Sequence, residues 1–139
     1  MTRAGFTGTQ RGLSLPQAKA LKSLMENLQL EEFHHGDCIG ADAAAASFAH
    51  DLHLRIVIHP PVIATKRAFC KGDEERIARP YLERNHDIVN ESDLLIATPG
   101  ETEEQLRSGT WATIRFARKR HKPIFLVFPN GTIEKEGGR

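Results

Sequence analysis

Gly5-Phe6-Thr7-Gly8-Thr9 contains the unit that this chain repeats, a short apolar run ending in a turn of small polar residues. The unit returns at Phe33-His34-His35 before Gly36-Asp37-Cys38, and at Leu94-Leu95-Ile96 before Ala97-Thr98-Pro99-Gly100. Ser108-Gly109-Thr110 supplies a further small-residue turn, one that opens a helical pattern. Small residues let the backbone approach a ligand, and the free N–H groups of a helix start attract anions. If the apolar runs are neighbouring parallel strands, these turns meet at one sheet edge and shape a pocket for a nucleotide or phosphate ester.

The intervening segments have the matching pattern. Ser14-Leu15-Pro16-Gln17 reads as a capping box, followed by Leu21, Leu24, Met25 and Leu28 at helical spacing. Ala41 to Leu52 is a helix whose alanine run suits close packing on a sheet. Arg55-Ile56-Val57-Ile58-His59 is a β-branched strand stopped by Pro60-Pro61. Residues 62–79 carry mixed charge without periodicity, which fits a solvated loop or a lid. Pro80 opens a helix over Tyr81 to Glu91, Asp93 to Thr98 is a strand, Thr110 to His121 a helix, and Pro123 to Phe128 a buried strand. This alternation predicts an α/β fold, a Rossmann-like doubly wound sheet of about five parallel strands with helices on both faces. Residues 1–129 form one domain in this reading, and 130–139 a flexible tail.

The bulk numbers exclude several classes. A chain of 139 residues with 40% hydrophobic and 27% charged residues has the composition of a globular domain with its own core. A net charge of +1 and 6% aromatic residues give neither the electrostatic track nor the stacking platforms of a nucleic-acid binder. Two cysteines make no disulfide framework and fit a reducing cytoplasm. No run approaches the ~20 apolar residues of a membrane span, and no signal-peptide pattern is present, so a cytoplasmic location is expected.

Gly-Phe-Thr-Gly-Thr, then His-His-Gly-Asp-Cys-Ile-Gly-Ala-Asp, then His-Pro-Pro, then Glu-Arg-Asn-His-Asp-Ile-Val, then Ser-Gly-Thr-Trp-Ala-Thr, taken in order, resemble the SLOG superfamily. These are Rossmann-like domains similar to the lonely-guy phosphoribohydrolases and to DNA-processing protein A. The resemblance covers roughly residues 3–129 and is nearest to small, stand-alone bacterial and phage members. It implies a nucleotide or nucleotide-derived ligand. By position it places Thr7, Gly8 and Thr9 in the first glycine loop, Gly36 and Asp37 in the second, Arg84 and Asn85 on a helix near the ligand, and Ser108, Gly109 and Thr110 in the phosphate loop. Similar domains often pair through helices, so a homodimer or higher oligomer is expected. The resemblance breaks at Thr113, where the hydrolases have a glutamate three residues after the Thr of the Gly-Thr pair. A hydroxyl cannot stabilise a ribosyl oxocarbenium ion as a carboxylate does.

The expected ligand set is therefore Thr7, Gly8, Thr9, Arg11, Gly36, Asp37, Arg84, Asn85, Ser108, Gly109 and Thr110. Arg11 either reaches a phosphate or lies in solvent. Asp37 is assigned to ribose hydroxyls and Asp42 to its support, because a carboxylate accepts two hydrogen bonds from a diol. The leading function is capture of a nucleotide, NAD or ADP-ribose-type molecule, as a sensor or sequestering module, with no cofactor required. A nucleotide N-glycosidase is the alternative, its carboxylate drawn from Asp37, Asp42, Glu83 or Asp87, and single-stranded nucleic-acid binding ranks last. No metal is expected. His34, His35, Asp37 and Cys38 have ligand chemistry, but adjacent strand residues face opposite sides of a sheet.

Overall fold

The computed structural model describes residues 2–138. Its elements run β1 (Arg3–Gly8), α1 (Leu15–Asn27), β2 (Glu32–His35), α2 (Ala41–Asp51), β3 (Arg55–Ile58), β4 (Glu74–Glu75), α3 (Tyr81–Asn90), β5 (Leu94–Thr98), α4 (Gly109–Lys119), β6 (Ile124–Val127) and β7 (Ile133–Glu136). The sheet order is β4-β3-β2-β1-β5-β6-β7, parallel throughout except for the antiparallel β6–β7 pair. The five strands expected from the sequence are β1, β2, β3, β5 and β6.

Helices cover both faces because the strand residues alternate. Phe6, Phe33, Ile56, Ile58 and Ile96 point to α1 and α2, where Leu21, Met25, Ala41, Ala45 and Ala49 meet them. Leu95, Ala97, Ile124 and Leu126 point to the opposite face, against Val89 of α3 and Trp111, Ile114 and Ala117 of α4. The alanine run of α2 lets that helix lie close to the strands. On the other face Gly5 serves the same end. A Cβ there would lie 2.8 Å from Ser92 Oγ and 2.9 Å from Ile88 Cγ2.

Capping joins α1 to the rest of the sheet. The Gln17 N–H donates to Ser14 Oγ (3.1 Å), and the Gln17 side chain accepts from the Ser14 N–H (3.3 Å). The Gln17 amide then donates to Pro99 O and Val127 O, at the ends of β5 and β6. A capping box thus also ties down two strand ends.

Two sequence expectations need correction. Residues 62–79 contain a 3-10 turn at Ala64–Lys66 and the short strand β4, so the segment is built onto the sheet edge. Within 130–139, residues 133–136 form β7 in place of a frayed tail; Arg139 lies outside the described residues. β7 is held from the side by Arg118, whose guanidinium contacts the Glu136 carboxylate at 2.8 and 2.9 Å. Its burial pattern is exposed, which is why apolar periodicity did not reveal it. Among the described residues no helix is long and apolar enough to cross a membrane.

Because Gly5 lets α3 approach β1, Gly5→Ala should cost about 1–3 kcal/mol through overpacking against Ile88 and Ser92. Urea unfolding monitored by circular dichroism checks this; an unchanged midpoint would contradict the close approach.

Candidate ligand-binding site

Chain progression reverses between β1 and β5, so a crevice opens beyond their carboxyl ends, where α/β sheets bind ligands. The backbone is drawn tight at this point. The Thr9 N–H donates to Thr98 O (3.2 Å), and Thr9 O accepts from the Ala41 N–H (3.0 Å) at the start of α2. Gly8 sits between Thr98 and Ala41, where a Cβ would come within 2.6 Å of the Ala41 methyl. Gly40 has φ +92°, and the Gln10 backbone lies directly against it.

A cavity of about 380 Å³ occupies this crevice, walled by Gly8–Arg11, Tyr81, Gly100, Glu101 and Arg107–Thr110. Its size falls within the range of small-molecule sites. Ser108 caps α4 by accepting from the Trp111 N–H (3.2 Å), and the next two residues, Gly109 and Thr110, whose N–H groups have no partner within the helix, line the cavity. Tyr81 also borders the cavity, with its hydroxyl packed against Gly109, so any side chain at 109 would displace it. Arg11, with its side chain 71% exposed, leans across the mouth to Glu101 (2.9 Å). The other Glu101 oxygen accepts from the Trp111 indole N–H (3.1 Å).

Beneath lies a recess of about 20 Å³, room for a water, lined by Phe6–Gly8, Gln10, Gly36, Cys38, Asp42, Tyr81, Arg84, Asn85 and Ile88. Arg84, 3% exposed, dominates it. Its Nη1 donates to Gly36 O (2.5 Å) and His59 O (3.1 Å), its Nε donates to the Asn85 side chain (2.8 Å), and its Nη2 approaches Cys38 Sγ (3.5 Å). The guanidinium also lies 5.3 Å from the Tyr81 ring centroid. Asp42 sits alongside, accepting from the N–H groups of Gly36 (3.0 Å) and Cys38 (3.2 Å). Burial pushes its carboxyl up to about 6, against the pull of those two N–H groups and of Arg84.

The sequence-derived residues therefore divide. Gly8, Thr9, Arg11, Ser108, Gly109 and Thr110 line the open cavity; Thr7, Gly36, Arg84 and Asn85 line the recess under it. Asp37 faces neither. It is wholly buried at φ +54°, its carboxylate bound by Arg67 (2.6 Å) and the Cys70 N–H (2.8 Å). The roles assigned to the two aspartates are thus exchanged: Asp37 anchors the 64–70 segment, while Asp42 borders the recess. Glu83 and Asp87 pair with Arg79 at 3.9 and 2.6 Å and border neither space, so they are corrected as carboxylate candidates. Thr113 donates to Gly109 O (2.9 Å) and belongs to the body of α4. The cavity residues missed by sequence reasoning are Gln10, Tyr81, Glu101 and Arg107. Only the charged 101–107 loop, next to a small-residue turn, hinted at the last two.

His34 and His35 do face opposite sides, as strand geometry requires. His34 contacts His59 across β2 and β3, whereas His35 packs near Phe33 and accepts the Asp37 N–H. Burial lowers His35 to about 4 and His59 to about 3, and lowers His34 as well. Burial also raises both thiols, Cys70 to about 12, so neither is a thiolate nucleophile at neutral pH.

Three solved structures share this architecture. The structural-genomics target TM1055 aligns at 14% identity over 89% of this chain and 72% of its own, with a TM-score of 0.63. The molybdenum cofactor binding protein of the phototrophic bacterium Rippkaea orientalis aligns at 19% identity, 91% and 76% coverage, and a TM-score of 0.69. DNA processing protein A of Streptococcus pneumoniae aligns at 16% identity and a TM-score of 0.68, over 91% of this chain but half of its own length. The chain shares their Rossmann-like α/β fold. At these identities the likeness is one of fold. No protein-family description matches the sequence, and no curated protein does.

Removing the buried guanidinium by Arg84→Met would orphan two carbonyls and leave Asp42 without its counter-charge, so stability should fall by about 3–5 kcal/mol. Urea titration reads this, and a loss below about 1 kcal/mol would show that Arg84 clamps nothing.

Acid should also destabilise the protein. His35 and His59 have folded values below the usual 6.5, so their contribution is complete above pH 6.5 and is lost as pH falls toward 4 and 3. Asp42, raised above 3.8, acts in the opposite sense between pH 6 and 4. The two imidazoles outweigh it, giving a net loss of about 3 kcal/mol at pH 5 relative to pH 7.5. Urea midpoints at the two pH values check the sign.

Proposed function

We propose that this protein binds a nucleotide or nucleotide-derived ligand in the crevice between β1 and β5. The phosphate lies against Thr9–Arg11 and the Ser108–Thr110 turn, and Arg107 and Arg11 supply its counter-charge. One observation carries the reading: two small-residue turns about 100 positions apart wall a single cavity of about 380 Å³ with two arginines at its rim. With a net charge of only +1, anion binding depends on this local arrangement. The SLOG-type fold, shared with a cofactor-binding protein and with DNA processing protein A, is consistent with the reading.

A second reading, cleavage of a nucleotide N-glycosidic bond, gains support from Glu101. This carboxylate borders the cavity from the β5–α4 loop, and α4 carries Thr113 where the hydrolases have their glutamate. Glu101 and Asp42 replace Asp37, Glu83 and Asp87 as the acidic groups to test.

Thermal shift with nucleoside monophosphates, NAD and ADP-ribose tests the binding reading. At least one should raise Tm at millimolar concentration, and Arg107→Ala should weaken that ligand by about tenfold, the loss of one charge-assisted hydrogen bond. No shift from any of them would sink the proposal.

Glu101→Gln separates the two readings. Arg11 cannot pair fully with both Glu101 and a phosphate, so removing the anionic competitor should tighten binding several-fold. If the protein is also a hydrolase that uses Glu101, the same variant should stop release of free base, read by chromatography.

A further inference from the structure

On the β2–β3 side of the sheet, away from the cavity, three ligand-type side chains converge without any part in the site above. The ring nitrogens of His34 and His59 and a carboxylate oxygen of Glu91 lie within 4.8 Å of one another. They come from β2, from the end of β3 and from the residue following α3, and the fold alone makes them neighbours. His34 and His59 are 1% and 2% exposed, whereas the Glu91 side chain is one-third exposed and opens a path from solvent.

We infer that His34, His59 and Glu91 form a binding site for a divalent first-row transition metal ion of the zinc type. The donor set is two imidazoles and one carboxylate, which leaves a fourth tetrahedral position for water. The surrounding groups are arranged as such a site needs. Glu32 Oε1 lies 2.6 Å from His34 Nε2, accepts its proton, and thereby leaves Nδ1 as a lone-pair donor facing His59. This is the carboxylate–histidine–metal relation that fixes tautomer and ring orientation in metal sites. His34 Nδ1 and His59 Nε2 are 2.9 Å apart, joined by one shared proton. Opening to about 3.3 Å accommodates two metal–nitrogen bonds of about 2.0–2.1 Å at a tetrahedral angle. The His59 proton then moves from Nε2 to Nδ1, so the ring stays neutral and no proton is released.

Two cations border the cluster among the described residues: Arg55, 3.7 Å from Glu32 Oε2, and Arg76. Arg76 contacts Glu91 through Nε (3.0 Å) and Nη2 (2.6 Å), both on Oε1. Oε2 accepts no hydrogen bond among the described residues and remains available to the metal. Arg76 also contacts Glu74, which offsets its charge.

The test uses the full-length chain and metal ions alone. Co²⁺ should produce the intense visible absorption of a tetrahedral site at one equivalent. Zn²⁺ should displace it, and should raise Tm because the ion ties two strands to a helix. Glu91→Gln, a change at a partly exposed position that leaves the core intact, should weaken Zn²⁺ at least tenfold. His59→Gln should remove the tetrahedral Co²⁺ signal, and Cys38→Ala with Cys70→Ala should leave it in place. A purely octahedral Co²⁺ spectrum would overturn the proposal. So would Zn²⁺ binding that survives Glu91→Gln and His59→Gln, or that disappears with the two cysteines.

Discussion

A buried guanidinium holds the carboxyl edge of the sheet together. In a parallel sheet the carboxyl ends of the strands are where the backbone leaves its ladder, so carbonyls there need partners from elsewhere. Arg84 supplies them for Gly36 and His59, after β2 and β3, and it reaches them from the first turn of α3. Burying such a charge is costly unless it is surrounded by acceptors. Two backbone carbonyls, the Asn85 amide oxygen, the Tyr81 ring and the nearby Asp42 carboxylate fill that requirement. An arginine expected to contact ligand therefore acts as a rivet that fixes the floor of the crevice.

With the floor rigid, the open cavity above can be made of small residues and exposed arginines. Gly8, Gly100 and Gly109 line it where side chains would collide with neighbouring groups, so the backbone itself forms much of the wall. Arg11 rests on Glu101 across the mouth, an ion pair exposed enough to exchange partners at little cost. The rim therefore carries positive charge and a carboxylate held together only by an exposed pair.

Histidine chemistry divides by sheet face. His35 belongs to the packed layer under α2, and His34 to a polar cluster with Glu32, His59, Glu91 and Arg76 on the other side. A one-residue step along β2 separates a core imidazole from a ligand-type one. This follows from the period of two in a strand and holds whatever the neighbouring segments do.

Alternating apolar runs and helical spacings were enough to determine the α/β class, the five main parallel strands, the four α-helices of the described residues and the turns that wall the cavity, because these depend on local periodicity and small-residue turns. Tertiary structure alone decided the rest. β7 is too polar to be read as a strand and forms because β6 offers an edge and Arg118 an anchor. Asp37 and Asp42 are indistinguishable by type and spacing, yet a positive φ turns one toward Arg67 while the first turn of α2 aims the other at the recess. Glu101, Tyr81 and Arg107 enter the cavity, and Glu91 meets His34 and His59, through contacts between distant segments. No one-dimensional pattern records such contacts, since they depend on how helices cross strands rather than on what lies beside each residue in the chain.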